Sequence, residues 1–214
     1  LNGVPPSPAM LDAMAARVQA GNSVGAALLA IDGDANTPSS GAFYSVVLKN
    51  FVTPWTNRDQ TAFAPLNDFT ATVIGMVRDE VPFSTVLSAD IVYVGRSSLG
   101  LPAYSASGNE HYEQLESRGA NLKNDLERAT QSSVTGLPAA ATAGVVTTRA
   151  AARAFFVAGP NRAMFRYTLM NFMCRDLEQI CRQMCNKHGL SLSLQRLHRG
   201  YTDYAVLTRS SLSM

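Results

Sequence analysis

The histidine at position 111 is the first candidate for chemistry, because it stands between two glutamates in the segment Gly108-Asn-Glu-His-Tyr-Glu113. A neighbouring carboxylate orients an imidazole ring and raises its basicity, which suits a general base. The alternative is a histidine in the first turn of a helix that makes ordinary surface hydrogen bonds. A catalytic role for His111 is therefore one hypothesis, and a structural role is the other.

Ser97 and Ser98 are the candidate nucleophiles that such a base would activate. They stand in Gly95-Arg-Ser-Ser-Leu-Gly100, which is one residue longer than the G-x-S-x-G elbow of serine hydrolases. That elbow also needs a strand before it and a helix after it. Residues 91–94 are suited to the strand, whereas Pro102 interrupts the helix. With His111 as base, the two serines would make a serine-type, esterase-like hydrolase.

Cysteine and histidine side chains near the C-terminus form a second candidate site. On one continuous helix, a single stripe would hold all four of them, namely Cys174, Cys181, Cys185 and His188. Thiolate and imidazole groups are ligands of zinc and of haem iron. One helix cannot surround a tetrahedral metal, so Cys181, Cys185 and His188 would hold a metal or a cofactor only with ligands from elsewhere. The alternatives are that the cysteines pack as small hydrophobic residues or form a disulfide.

The composition excludes several classes of protein. Of the 214 residues, 46% are hydrophobic and 16% are charged, and the net charge is +2. A disordered chain has lower hydrophobicity and higher charge, and a nucleic-acid-binding domain has a clearly basic face. No apolar run approaches the roughly 18 to 20 residues of a membrane span. We therefore expect a globular protein with no transmembrane segment and no nucleic-acid partner. Since the sequence opens at Leu1 without a signal segment, we also expect it to be a piece of a longer protein.

Apolar residues at helical spacing predict a mainly α fold, a multi-helix globular domain with long loops and at most a minor strand element. The predicted helices cover residues 8–20, 23–31, 41–53, 67–78, 109–118, 120–131, 147–156 and 162–187. Residues 91–94 are the most strand-like stretch. Small and polar residues predict loops over 95–108 and 132–147, and the first of these is a place where functional residues are expected.

Several segments of the chain together resemble one group of proteins. These segments are 1–8, 42–44, 83–94, 111–112, 144–147, 161–162 and 167–174. In this order they are similar to planctomycete-type secreted proteins, which are large bacterial proteins that carry c-type haem modules. The resemblance covers about residues 1–178, which we expect to form one helical domain. Residues 179–214 do not share the pattern and form a separate C-terminal segment.

The resemblance implies a helical domain of a secreted or periplasmic redox or electron-transfer protein. Its partners would be other domains or subunits of a larger protein, and its cofactor would be haem c. The C-x-x-C-H motif expected for haem attachment is absent, and the nearest match is Cys181-Arg-Gln-Met-Cys185-Asn-Lys-His188. Two alternatives stay open: a serine-type hydrolase that uses His111, and a non-catalytic subunit of a larger assembly.

Overall fold

The computed structural model describes residues 2–3, 5–157 and 163–176. The chain divides into two compact units, Leu1–Asn161 and Arg162–Met214. Among the described residues, the α-helices are α1 Pro8–Gln19, α2 Ser23–Asp32, α3 Lys49–Val52, α4 Asp68–Arg78, α5 Glu110–Ser117, α6 Leu122–Asp125, α7 Gln131–Thr135, α8 Arg149–Ala151 and α9 Ala163–Met173. The strands are β1 Val92–Gly95 and β2 Leu126–Ala129. The mainly α fold with a minor strand element is confirmed.

Capping residues define the first two helices. The Ser7 hydroxyl accepts a hydrogen bond from the Met10 amide at 3.2 Å, and Pro8 opens α1 at a position where no amide donor is needed. Asn22 caps α2 by accepting from the Gly25 amide at 2.7 Å. The two helices pack against each other, and Met10 of α1 and Leu29 of α2 are buried.

Helix α4 lies at the centre of the first unit. Every residue from Asp68 to Met76 is buried, and β1, β2, α3, α6 and α8 all pack against it. Asn67 caps it by accepting from the Thr70 amide at 3.0 Å. Gly75 allows the ring of Tyr93 to lie directly on the helix backbone, because a Cβ atom at that position would be 2.1 Å from Tyr93 Cδ1.

Strands β1 and β2 form a two-stranded antiparallel sheet in which Val92 faces Ala129 and Gly95 faces Leu126. The helix predicted over 120–131 is therefore wrong beyond its first turn. The Asn121 amide donates to Asp125 Oδ2 at 2.8 Å, which closes that turn as α6. Leu126 is then fully buried in β2, where its backbone pairs with a strand that has no other strand partner among the described residues.

Two segments depart from regular α-helix. The helix predicted over 41–53 is π-helical over Phe43–Leu48, α-helical in α3 and 3-10 helical over Thr53–Thr56, where Pro54 ends the α-helical hydrogen bonding. A second π-helical segment, Ala152–Val157, follows α8. The loop predicted over 132–147 contains most of α7 and two 3-10 turns, Ala139–Ala141 and Gly144–Thr147.

The long helix predicted over 162–187 is also wrong, because α9 ends at Met173. Cys174 has a positive φ of 50°, outside the helical region, and the Arg175 amide donates to the Leu169 carbonyl at 3.1 Å. Arg166 closes this end of the helix with two hydrogen bonds to the Asp176 carboxylate, both at 3.0 Å. The boundary predicted between residues 178 and 179 lies outside the described residues.

Membrane-spanning helices are not found in the described part of the chain, since none of its helices combines the length and the apolar character that a span needs.

Candidate functional site

His111 is a buried residue in the first turn of α5, with 7% of its surface exposed. Its Nε2 atom accepts a hydrogen bond from the Gly95 amide at 2.8 Å, and its Nδ1 atom lies 2.6 Å from the carbonyl oxygen of Pro102. A carbonyl only accepts and an amide N–H only donates. The ring is therefore the neutral tautomer with its proton on Nδ1, and both ring nitrogens bond to the backbone.

This arrangement leaves His111 without a nitrogen for a substrate or a serine. A general base must lie within hydrogen-bonding reach of the proton that it removes, and the lone pair of Nε2 already faces Gly95. The interpretation as a surface residue with ordinary hydrogen bonds is also wrong, because the ring is buried. In this structure His111 joins the end of β1 to the loop that follows it.

Ser97 and Ser98 lie in a 3-10 turn, Ser97–Leu99, directly after β1, and both are exposed. The expected strand does precede them, but Gly100 ends the turn in the left-handed region with φ of 58° and no helix follows. Within the described residues, no hydrogen bond joins either hydroxyl to His111, whose ring nitrogens are both taken. The structure therefore does not assemble the nucleophile and base that the sequence predicted.

Gly95 at the end of β1 lies close to side chains of the following loop and of α5. A Cβ atom there would be 2.4 Å from Leu101 Cδ1 and 3.4 Å from His111 Nε2. The same small residue lets its amide reach the imidazole. The glycine that resembled part of a nucleophile elbow in the sequence instead packs against the histidine.

Asp68 forms a polar centre that no motif in the sequence marks. Its carboxylate is fully buried. Oδ1 accepts from the Ala150 amide at 3.0 Å, and Oδ2 accepts from the Arg149 amide at 2.5 Å and from the Tyr104 hydroxyl at 3.1 Å. A buried carboxylate needs several such donors to offset the loss of its hydration. Asp68 thus joins the N-termini of α4 and α8 to the loop before α5.

Two tyrosines next to Asp68 stay protonated. Burial raises the pKa of Tyr104 well above its ordinary value, and the nearby charge and hydrogen bond of Asp68 raise it further. Burial likewise raises the pKa of Tyr112, whose hydroxyl donates to the Tyr93 carbonyl at 2.8 Å. Tyr104 therefore remains a hydrogen-bond donor to Asp68, and neither phenol is a base at physiological pH.

Arg149 adds the positive charge of this centre. One of its Nη2 hydrogens goes to Asn109 Oδ1, and Asn109 in turn donates through Nδ2 to the Leu66 carbonyl at 2.9 Å. The Nε atom of Arg149 is buried and has no hydrogen-bond partner. The guanidinium is thereby directed at the N-terminus of α5, where its role is to connect elements of the fold.

The predicted C-terminal site is only partly within the described residues. Cys174 is exposed and carries a free thiol. It follows the end of α9, so a single helical stripe from Cys174 onward is wrong. Cys181, Cys185 and His188 lie outside the described residues. No group of three or more His, Cys, Asp or Glu side chains in residues 2–3, 5–157 and 163–176 is arranged to hold a metal ion.

Comparison with known proteins gives no match for this chain, whether with family models, with curated proteins or with solved structures. The resemblance to the haem-associated secreted proteins therefore stays a prediction from the sequence.

Proposed function

We propose that this chain is a non-catalytic helical domain of a larger secreted or periplasmic redox protein. Its task in this proposal is to bind the part of that protein that carries c-type haem and performs electron transfer. The sequence resemblance supplies the redox context. The observation that favours binding over catalysis is the environment of His111, whose two nitrogens both bond to backbone groups.

The described residues supply neither the paired cysteines nor a free histidine nitrogen that c-type haem would use, so the proposal places the cofactor outside them. His111 is the single histidine among them, and it has no free nitrogen for an axial bond to iron. Cys174 is their single cysteine, whereas covalent c-type attachment through C-x-x-C-H uses two. The proposal therefore includes no step through haem in this part of the chain.

Exposed apolar side chains on the first two helices support a binding role. Leu11 and Val18 of α1 are more than half exposed and are separated by seven residues, the spacing of one helix face. Val24 and Leu28 of α2 are exposed at a spacing of four, and Val24 is 70% exposed. Large exposed apolar side chains on one helix face are typical of surfaces that contact another protein.

Charged side chains on and near these two helices form ion pairs within the chain. Arg17 of α1 bonds to Asp34 at 2.7 Å, and Lys123 approaches Asp32 of α2 at 3.0 Å. Because these charged side chains already have an ion-pair partner within the chain, a protein that covers the surface does not have to supply one. A largely apolar contact with another domain therefore agrees with both the charge and the exposure of α1 and α2.

Sedimentation velocity on the isolated chain, alone and with a soluble c-type cytochrome, tests the binding role. We expect the chain to bind the cytochrome. The double substitution Val24→Lys and Leu28→Lys should lower the affinity at least tenfold, because burying a charged lysine is unfavourable. Phe83→Lys is the control, since Phe83 is also exposed but lies away from α1 and α2 in sequence. A chain that stays monomeric and binds no cytochrome at any concentration would contradict the proposal.

Two further measurements test the remaining parts of the proposal. The intact mass under denaturing, non-reducing conditions is expected to equal the sequence mass or to fall short of it by a disulfide's hydrogens. A mass higher by one haem would show covalent attachment to this chain and overturn the proposal that the cofactor is held elsewhere.

Hydrolysis of a p-nitrophenyl ester is expected at the background rate. Ester turnover that His111→Ala abolishes would establish the hydrolase instead.

A further inference from the structure

A charged His111 is incompatible with one of its two bonds. The neutral ring accepts the Gly95 amide hydrogen at Nε2 and gives its own Nδ1 hydrogen to Pro102. Protonation places a second hydrogen on Nε2, so that two N–H donors would face each other across 2.8 Å. The bond to Pro102 survives protonation, whereas the bond to Gly95 cannot.

The segment 96–108, here called the strap, depends on this ring. It begins directly after Gly95, ends before α5, and bonds to side chains at both ends of that helix. Three side chains hold it: Arg118 donates to the Leu99 carbonyl at 2.6 Å, His111 to Pro102, and Tyr104 of the strap to Asp68. Of these side chains, His111 is the one that also bonds to the end of β1, through the Gly95 amide, and that becomes charged by taking up a proton.

We propose that His111 is an acid-sensitive latch that fastens the strap to the end of β1 through the Gly95 amide and releases β1 when the ring is protonated. A ring that loses the Gly95 amide has to turn or move toward water, and Pro102 moves with it. Leu101 and Leu115, whose methyl groups lie beside Gly95, are then uncovered. Acid thus exposes an apolar surface that is closed at neutral pH, a regulatory property that the proposed binding role does not itself require.

Other charged groups around the ring are exposed or have their own partners. Arg96, at the start of the strap, is exposed, as is Glu110 of α5. The remaining groups and their partners are Glu113 with Asn109, Glu116 with Lys49 and the Leu66 amide, Arg118 with Gln114, Asp125 with the Asn121 amide, and Asp68 with Tyr104. None of them bonds to the imidazole, because both of its nitrogens bond to the backbone. Protonation of the ring therefore gains no carboxylate partner that would replace the Gly95 amide.

Amide hydrogen exchange followed by NMR tests the latch in the full chain with His188→Gln and His198→Gln, which leaves His111 as the single histidine. The protection factor of the Gly95 amide is expected to fall roughly tenfold or more as added acid protonates the ring, the loss expected for one buried hydrogen bond. The Val145 amide, which donates to the Val86 carbonyl at 2.9 Å, is the internal reference. Unchanged protection at Gly95 would overturn the proposal, and so would an equal loss at Val145.

The variant His111→Gln separates the latch from a general effect of acid. Its side-chain oxygen still accepts a hydrogen bond but does not become charged, so the fall in Gly95 protection is expected to disappear. A variant that keeps the same fall with pH would overturn the proposal.

The ring itself supplies the deciding measurement if His111→Gln does not fold. The ¹⁵N shift of Nε2 in the chain with His111 should change from that of an acceptor to that of a donor in step with the loss of Gly95 protection. A ring that becomes protonated while Gly95 stays protected would also overturn the latch. All these outcomes are independent of cytochrome binding, so the latch and the proposed function fail separately.

Discussion

At the scale of single residues, the carboxylate of Asp68 joins three separate parts of the chain. It lies in the first turn of α4 and accepts hydrogen bonds from the amides of Arg149 and Ala150 and from the hydroxyl of Tyr104. Without it, these donors would lose their partner in a buried or half-buried place. The carboxylate is therefore a structural group, and its two oxygens are suited to this role because both only accept.

Asp68→Asn is expected to destabilise the protein by about 2 kcal/mol or more, because the amide nitrogen would face a backbone N–H donor in a buried place. Urea unfolding followed by circular dichroism measures the free energy of unfolding. Asp12→Asn on the exposed surface of α1 is the matched control and should change it by less than about 0.5 kcal/mol. Equal effects of the two substitutions would contradict the role given to Asp68.

Asp79 gives a prediction about pH. Two hydrogen bonds from Arg78, at 2.7 and 3.0 Å, hold the pKa of Asp79 below its ordinary value of 3.8, and the hydroxyl of Tyr93 at 2.6 Å adds to this effect. A lowered pKa in the folded state contributes stability above the unfolded value, and this stability is lost as the pH falls from there through the folded pKa. The contribution is modest, because the side chain is 35% exposed.

Asp79→Asn should therefore flatten the fall in the free energy of unfolding between about pH 5 and 2. Urea titrations at several pH values measure that slope. Asp59→Asn, which removes an exposed carboxylate from a loop, is the control and should leave the slope almost unchanged. A slope that responds equally to both substitutions would show that the Arg78 pair is not its source.

At the scale of elements, the sequence predicted the helices whose first residues include a capping residue. Ser7 and Pro8 mark the start of α1, and Asn67 marks the start of α4, because caps act over three or four residues. The segment 126–129 has no such local signal. Its strand forms because β1 needs a partner for its backbone groups, and this demand comes from more than thirty residues away.

The contact between α4 and β1 gives a prediction at this scale. Alanine is normally better than glycine inside a helix by about 1 kcal/mol, but a methyl group at Gly75 would overlap the ring of Tyr93. Gly75→Ala is therefore expected to destabilise the protein by about 1–3 kcal/mol, measured by thermal or urea unfolding.

A double-mutant cycle supplies the control for Gly75. In a chain with Tyr93→Ala the ring is absent, so adding Gly75→Ala should be neutral or stabilising, and the effect changes sign. A substitution that costs the same with and without the ring would show that the close approach is not the reason for the glycine.

At the scale of the whole molecule, composition and periodicity were enough to predict a mainly α fold, but not the candidate site. The pattern around His111 is the same whether the ring faces a substrate or a backbone amide. Only the path of the chain brings Gly95 and Pro102 to its two nitrogens. The Asp68 centre likewise depends on residues 36 to 82 positions further along the chain, which no local pattern connects.

That last separation has a consequence for biosynthesis. The amides that complete the surroundings of Asp68 belong to residues 81 and 82 positions later, so they leave the ribosome roughly 4 to 16 s after it at ~5–20 residues per second. Until then, α4 carries the Asp68 carboxylate without the two backbone amides that donate to it in the folded protein. We therefore expect the native packing of α4 to be completed only when α8 has been synthesised, with some apolar side chains of the helix accessible to chaperones until then.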